Sequence, residues 1–341
     1  MSLPKRLRLA SFVLGLVSGL TLVGCERKAE WPALYSLPRS FESYAMLLDL
    51  ESDALIGGCI KNGRFLESCA ASLYRCSSKG CEKIYSGPGR INGLARYADL
   101  VAADAAVYVR PSDKNDHRLL LSRDSGREFH EMGPIPGSSV ERMVIRPPNE
   151  LWAMSESGLI KSADWGRSWQ AVESPGPRDP VHEVLAVVES ALLVLGYETY
   201  RSDDGGRIWR RIDATGARVT ANSSRHLFGV LDGWAVAGSL EEHVKWKWLF
   251  RLPEGSYPSQ AVVEGKQWRI ATSPEINARG GTVRLYESDD EGDHWSHKRL
   301  DRVYAEGRIA LGSRGASYAM DVENRVLRET LQSLENPSSG N

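Results

Sequence analysis

One octapeptide recurs along this chain with its polar and aromatic positions held fixed. It reads "SRDSGREF" at 122–129, "SADWGRSW" at 162–169, "SDDGGRIW" at 202–209 and "SDDEGDHW" at 288–295. The copies start 40, 40 and 86 residues apart, and the last interval is two steps of 43. A fixed period of this length is the signature of a repeat architecture, in which each unit buries its apolar faces against its neighbours. By the same spacing one unit has lost its box near residue 245, and "CSSKGCEK" (76–83) is a decayed copy that keeps only Gly80 at the right offset.

Each unit carries more than the box. Around the second copy, "LWAM", "LIKS" and "RSWQAV" are short strands separated by the turns "SESG" and "ADWG". The same plan can be traced from "ALIGGC" (54–59) to a less regular unit around "WRIATS" (268–273), giving seven units in all. Short strands with turn signals at a period of 40–45 residues predict an all-β chain, a β-propeller of four-stranded blades. Seven blades fit best and six is the rival count. The last unit gives "SYAM" and "RVLRET" and then stops without an outer strand. The segment "WPALYSL" (31–37) lies ahead of the first full unit and is a candidate to supply it, tying the two ends together. The expected organisation is a leader at 1–24, a tether with the ring-closing strand at 25–40, the propeller at 41–331 and a disordered tail at 332–341.

The box chemistry is that of a tight turn. Ser122, Ser162, Ser202 and Ser288 open it, and Asp124, Asp164, Asp204 and Asp290 are placed to accept hydrogen bonds from turn N–H groups. Gly126, Gly166, Gly206 and Gly292 supply a positive φ, and Phe129, Trp169, Trp209 and Trp295 put a large ring under the turn. These residues resemble the Asp-box (BNR) repeat of sialidases, sortilin-type receptors and several non-enzymatic propellers. That resemblance implies an edge hairpin away from any catalytic face, with a role in stability.

The first 25 residues read as an export address. Lys5, Arg6 and Arg8 precede an apolar run from Leu9 to Val23, too short for a confident membrane span. Leu22-Val23-Gly24-Cys25 resembles the bacterial lipobox, which implies cleavage before Cys25 and a lipid on its thiol. Glu26 in place of Asp then favours the outer membrane, facing the periplasm. An ordinary signal peptide or an uncleaved anchor is the alternative. Removal of 1–24 takes three of the 43 Lys and Arg, leaving 40 against 44 Asp and Glu, a net charge of −4. No clustered positive charge marks a nucleic-acid footprint. Cys59, Cys69, Cys76 and Cys81 are an even set in an exported chain, which reads as two disulfides. Three pairings are open; joining each cysteine to its near neighbour would staple two hairpins of the first blade.

Catalytic constellations are hard to assemble. The sialidase family uses an arginine triad, a Tyr–Glu pair and an acid Asp. Here "FRLP" (250–253) is the one approximation to its Phe/Tyr-Arg-Ile-Pro motif, and it follows three of the four boxes. Tyr197-Glu198 and Tyr286-Glu287 are strand neighbours, so their side chains point to opposite faces. No Gly-x-Ser-x-Gly elbow or phosphate-binding glycine loop follows the leader, and His294 and His297 are badly spaced to share a metal. No cofactor is expected, and the expectation is a chain without catalysis.

The remaining expectation is a binding surface. In "HVKWKWLF" (243–250) strict alternation puts Trp246, Trp248 and Phe250 on one strand face, as contact residues or as packing between blades. The loops "IKNGRFLES", "PSDKND", "SLEEHV" and "PEINARGG", the last including Glu275 and Arg279, all read as joining second to third strands and so as sharing one rim. Lipobox, early cysteines and boxes together resemble the immunity lipoproteins that neutralise type VI secretion phospholipase effectors. That resemblance implies a protein partner in the cell envelope and a membrane held through the lipid anchor. A looser likeness to propeller lipoproteins that assist photosystem II assembly implies an assembly factor. From a different class, the boxes admit a surface glycan hydrolase or a glycan-binding lectin.

Overall fold

The computed structural model describes residues 27–28 and 31–329, apart from 49–52, 62–68, 108–115, 138–139, 147, 156–157, 174, 176–183, 189–190, 196–197, 215, 224, 241–243, 274, 278–279, 304–308, 313–316 and 322. Cys25, Tyr197, Arg279 and the tail lie outside them. The chain is all-β, with seven four-stranded antiparallel blades forming a propeller. Blade 1 runs through Phe41–Leu48, Ala54–Lys61, Cys69–Ser77 and Gly80–Pro88, and blade 2 through Arg90–Tyr97, Leu100–Val107, Asp116–Ser122 and His130–Ile135. Blade 3 comprises Val140–Arg146, Glu150–Ser155, Gly158–Ser162 and Gln170–Val172, and blade 4 Val184–Val188, Ala191–Leu195, Thr199–Ser202 and Arg210–Ile212. Blade 5 comprises Arg218–Ser223, His226–Leu231, Trp234–Ser239 and Lys247–Arg251, and blade 6 Pro258–Glu264, Gln267–Thr272, Gly280–Ser288 and Ser296–Val303. Blade 7 takes Ile309–Ala310, Tyr318–Met320 and Arg325–Arg328 from the C-terminal end and its outermost strand, Ala33–Ser36, from the N-terminal end.

Seven blades make seven interfaces, and the apolar core is divided among them. Strand alternation sends neighbouring residues to opposite faces. Leu151 and Ala153 therefore pack toward blade 2, with Leu119 and Leu121, while Trp152 and Met154 pack toward blade 4, with Leu192 and Val194. Both faces are covered, so the middle strands are buried along most of their length, and Ala191–Leu195 is buried at every position.

A bulky side chain placed just before or at the start of the outermost strand fills the gap to the preceding blade. Phe129 enters the core between blades 1 and 2, Trp169 that between 2 and 3, Trp209 that between 3 and 4, and Trp295 that between 5 and 6. The three interfaces without a box aromatic are filled in the same way. Trp246 packs between blades 4 and 5, Trp31 between 6 and 7, and Cys81 between 7 and 1.

Blade 5 has therefore not lost its plug. Residues 239–246, "SLEEHVKW", begin at the last residue of the third strand, as every box does, and end on the plugging ring at the eighth residue. Glu241 and His243 stand where the other boxes carry Asp and Gly. The segment consequently joins third to fourth strand and is not the second-to-third loop that its sequence suggests.

The four intact boxes share one hydrogen-bond pattern. The serine hydroxyl donates to the aspartate at 2.5–2.9 Å and accepts from the glycine N–H at 2.7–2.8 Å. Asp204 Oδ1 accepts from the N–H groups of Arg207 and Ile208 at 3.1 and 3.0 Å, and Asp290 does the same with Asp293 and His294. The glycine and the residue before it both have positive φ, 83° and 64° for Gly166 and Trp165. A Cβ on Gly166 would also lie 2.1 Å from Leu119 Cδ2 of the preceding blade, so that glycine meets a backbone and a packing requirement together. Cations of the preceding blade clamp the turn from outside: Arg75 donates to the Ser125 carbonyl at 3.2 Å and Lys247 to the Glu291 carbonyl at 2.8 Å.

Cys59–Cys69 and Cys76–Cys81 are the two disulfides, with Cα separations of 5.6 and 4.0 Å. Both lie in blade 1, and the second crosses the turn that stands in for its box.

Two outcomes are expected. Trp246→Ala should cost about 3–5 kcal/mol and lower Tm by several degrees, because it empties a core site, whereas Trp248→Ala on the surface should leave Tm nearly unchanged. Equal losses in the two variants would contradict the plug assignment. The second outcome concerns acid. Hydrogen bonds from the Ser168 hydroxyl, the Ser168 N–H and the Ser162 hydroxyl pull the Asp164 carboxyl down to about 2. A depressed carboxylate stabilises fully above its unfolded value of about 3.9 and loses that contribution as pH falls toward the folded value. Asp164→Ala should thus melt below wild type at pH 7, with the gap closing between about pH 4 and pH 2; thermal melts across that range read it directly.

Candidate functional site

Alternating strand direction sorts the turns onto two faces. First-to-second and third-to-fourth turns share one face with the boxes. Second-to-third loops and the links between blades occupy the other, here called the loop face. Of the four segments assigned to one rim, three join strand ends on that face. The blade 1 loop springs from the Cys59–Cys69 staple and the blade 2 loop joins Val107 to Asp116, though 62–68 and 108–115 themselves lie outside the described residues. In blade 6 a supernumerary strand, Glu275–Asn277, pairs with the start of Gly280–Ser288 and extends the hairpin into a finger. Glu275 sits on that strand. "SLEEHV" is on the box face, as described above.

The tryptophan stripe also divides. A bulge between Ala235 and Val236 in the pairing of Trp234–Ser239 with Lys247–Arg251 breaks the alternation. Phe250 therefore turns to the core with blade 6, stacked on Tyr286 at 3.7 Å, while Trp246 turns to the core with blade 4 and donates its indole N–H to the Ala214 carbonyl at 2.7 Å. Trp248 is exposed and packs edge-on against Trp234 at 6.0 Å. Of the two candidate contact tryptophans only Trp248 offers its ring to solvent; strict alternation overlooked the bulge.

The ring is latched on the loop face. Asn324, at φ 60°, donates its side-chain amide to the Phe41 carbonyl at 2.8 Å and more weakly to the Pro38 and Arg39 carbonyls, while its backbone carbonyl accepts from the Leu37 N–H. Asn tolerates this left-handed conformation better than most residues, and its side chain replaces backbone partners of the incoming chain.

Titratable clusters are consumed in packing. Tyr286 is buried between blades 5 and 6, whereas Glu287 faces Arg269 and Lys298, so the pair points to opposite sides of its strand. Glu198 bonds Tyr200 and Arg211. Between blades 6 and 7, Arg269 and Lys298 meet Glu287 and Glu329 in a charge-balanced network, with Arg269 also donating to Ser317 and the Gly312 carbonyl. Buried Asp104 accepts from His117 Nδ1 at 2.9 Å and receives the Asn92 amide. His294 is held by Asp290 within its own box, and His297 stacks on Tyr286 at 5.3 Å. No group of three His, Cys, Asp or Glu that could hold a metal occurs among the described residues. Arg251 of "FRLP" lies on the outermost strand of blade 5, away from the innermost strands that surround the channel.

No protein-family model matches the chain, and no curated protein matches its sequence. Solved structures are similar in fold. A structure of YCF48 bound to a D1 peptide superposes with a TM-score of 0.60 at 14% identity, covering 92% of this chain and 100% of that one. The catalytically inactive virginiamycin B lyase from Staphylococcus aureus with quinupristin gives 0.61 at 11%, covering 89% and 99%. The GH74 enzyme of Niastella koreensis gives 0.57 at 13%, covering 87% of this chain and 53% of its own length. These likenesses establish the propeller and no family; the similar proteins include enzymes and a peptide-binding protein.

Proposed function

We propose that this chain is a non-catalytic, lipid-anchored propeller of the cell envelope that captures a protein partner with its loop face. The observation carrying this reading is the finger of blade 6, in which the extra strand Glu275–Asn277 extends the second-to-third hairpin on the loop face of the ring. Loop variation on a fixed scaffold is where specificity usually resides. The YCF48 structure with its bound peptide supports a protein ligand for a chain of this shape. The lipobox-like Leu22–Cys25 and the box repeat favour one specific form, an immunity protein that neutralises a periplasm-acting secreted lipase.

Two measurements check it. Intact-mass analysis of membrane extracts should find Cys25 acylated at the N-terminus, with Cys25→Ala released from the membrane or stalled as precursor. A variant still partitioning with the outer membrane rules out the anchor. For the loop face, the soluble form lacking residues 1–25 should retain a partner in pull-downs of envelope proteins. Deleting 275–279 should weaken that capture while Tm stays near wild type. Robust turnover of a sialoside or other glycan, with no protein captured, would instead favour the hydrolase reading.

A further inference from the structure

Blade 5 carries a cleft of about 720 Å³ on the loop face, within the size range of ligand sites. Its walls are the Asp232-Gly233 turn, the link 252–257 toward blade 6, and Gly216 and Arg218 at the entry to the blade. Those walls are fastened. Leu252 N–H donates to the Gly233 carbonyl at 2.9 Å, Ser256 donates through both N–H and hydroxyl to the Pro253 carbonyl, and Tyr257 exchanges hydrogen bonds with Ser273. Gly216, Gly233 and Gly255 stand along the rim with φ of 84°, 78° and 73°. A Cβ on Gly233 or Gly255 would meet nothing within 4 Å, so the space over their backbones is open.

One polar group of the cleft, Arg218, is held by a neighbouring ring. The Arg218 guanidinium lies over the Tyr257 ring at 5.2 Å, which holds its planar donor fork in place. Arg251 is exposed on the rim, opposed by exposed Asp232 and Glu254, and none of these three forms an ion pair among the described residues. Two cations and two carboxylates disfavour a polyanion, which would meet both acids. A peptide of mixed charge satisfies both signs, and exposed glycine backbone admits its main chain closely.

We propose that this cleft binds an extended peptide segment whose carboxylate is taken by Arg218 and Arg251 while an adjacent basic side chain meets Asp232 and Glu254. The proposal rests on the protein-binding reading above and gives the partner's contact a chemistry. The carboxylate comes from an Asp or Glu side chain or from a free C-terminus, and the two sources are separable.

The test pans random nonapeptide libraries against the intact protein in detergent, one library displayed with free C-termini and one with the segment internal. Enrichment of carboxylate-bearing sequences with a neighbouring Lys or Arg is expected, and the library that enriches identifies the source. For the best peptide, Arg218→Gln should weaken Kd by about tenfold or more, the scale of a lost charge-assisted hydrogen bond. Replacing the peptide's carboxylate by an amide should do the same on wild type and add little on the variant. Arg251→Gln, on the exposed rim, repeats the measurement in a variant whose folding is not at issue. Enrichment without a carboxylate, no enrichment, or additive losses in the cycle overturns the cleft assignment. A partner captured in pull-downs equally well by wild type and Arg218→Gln overturns the cleft while leaving the binding reading intact; failure to capture any protein overturns the reading itself.

Discussion

A four-stranded blade with apolar residues on both faces is stable only between two others, and flat sheets set radially in a ring diverge toward the rim. The space opened by that divergence must be filled. In this chain it is filled by one bulky group per interface, delivered from the turn that leads into each outer strand. Phe129, Trp169, Trp209, Trp246 and Trp295 serve five interfaces, Trp31 serves the sixth from the N-terminal end, and Cys81 with its disulfide partner serves the seventh. The 40-residue period of the sequence is the interval between successive fillings.

Placing that requirement in the third-to-fourth turns leaves the opposite face free. The box needs Ser, Asp, Gly and an aromatic ring at fixed offsets, and a change at any of them exposes a donor, strains a backbone or opens a cavity. The second-to-third loops obey no such rule. Among the described residues they range from the two-residue turn Asp232-Gly233 to the paired finger of blade 6. The turn requirement is thus kept at one end of each blade, and a change in the loops at the opposite end need not propagate into it.

Much of this was legible. Gly and Asp at fixed offsets give a turn wherever they occur, so four copies announced the hairpins, the period counted seven blades, and the missing last strand pointed to residues 31–37. The seventh closing strand is Ala33–Ser36, and the near-neighbour cysteines are the bonded ones. What escaped did so for physical reasons. "SLEEHVKW" keeps the ends of the box while its middle has changed, and it starts 37 residues after one box and 49 before the next, off the even spacing. A bulge shifted Phe250 out of the alternation that Trp246 begins. The blade 5 cleft gathers Gly216, Arg218, Asp232, Arg251 and Tyr257 from separate strands and links, and no spacing in the sequence connects them.

Closing the ring with the N-terminal strand also sets an order of events. Asn324 bonds to Phe41 across 283 positions, so the first blade to be made waits longest for its second neighbour. A contact that distant forms only after nearly the whole chain is present, and long-range strand pairing is slow. Meanwhile the face of blade 1 that carries Phe41, Ile56 and Tyr74 has no blade 7 to cover it, a state prone to aggregation. Both disulfides belong to that blade. Formed locally, across 10 and 5 residues, they need nothing from the far end of the chain and hold the waiting blade in shape until its partner arrives.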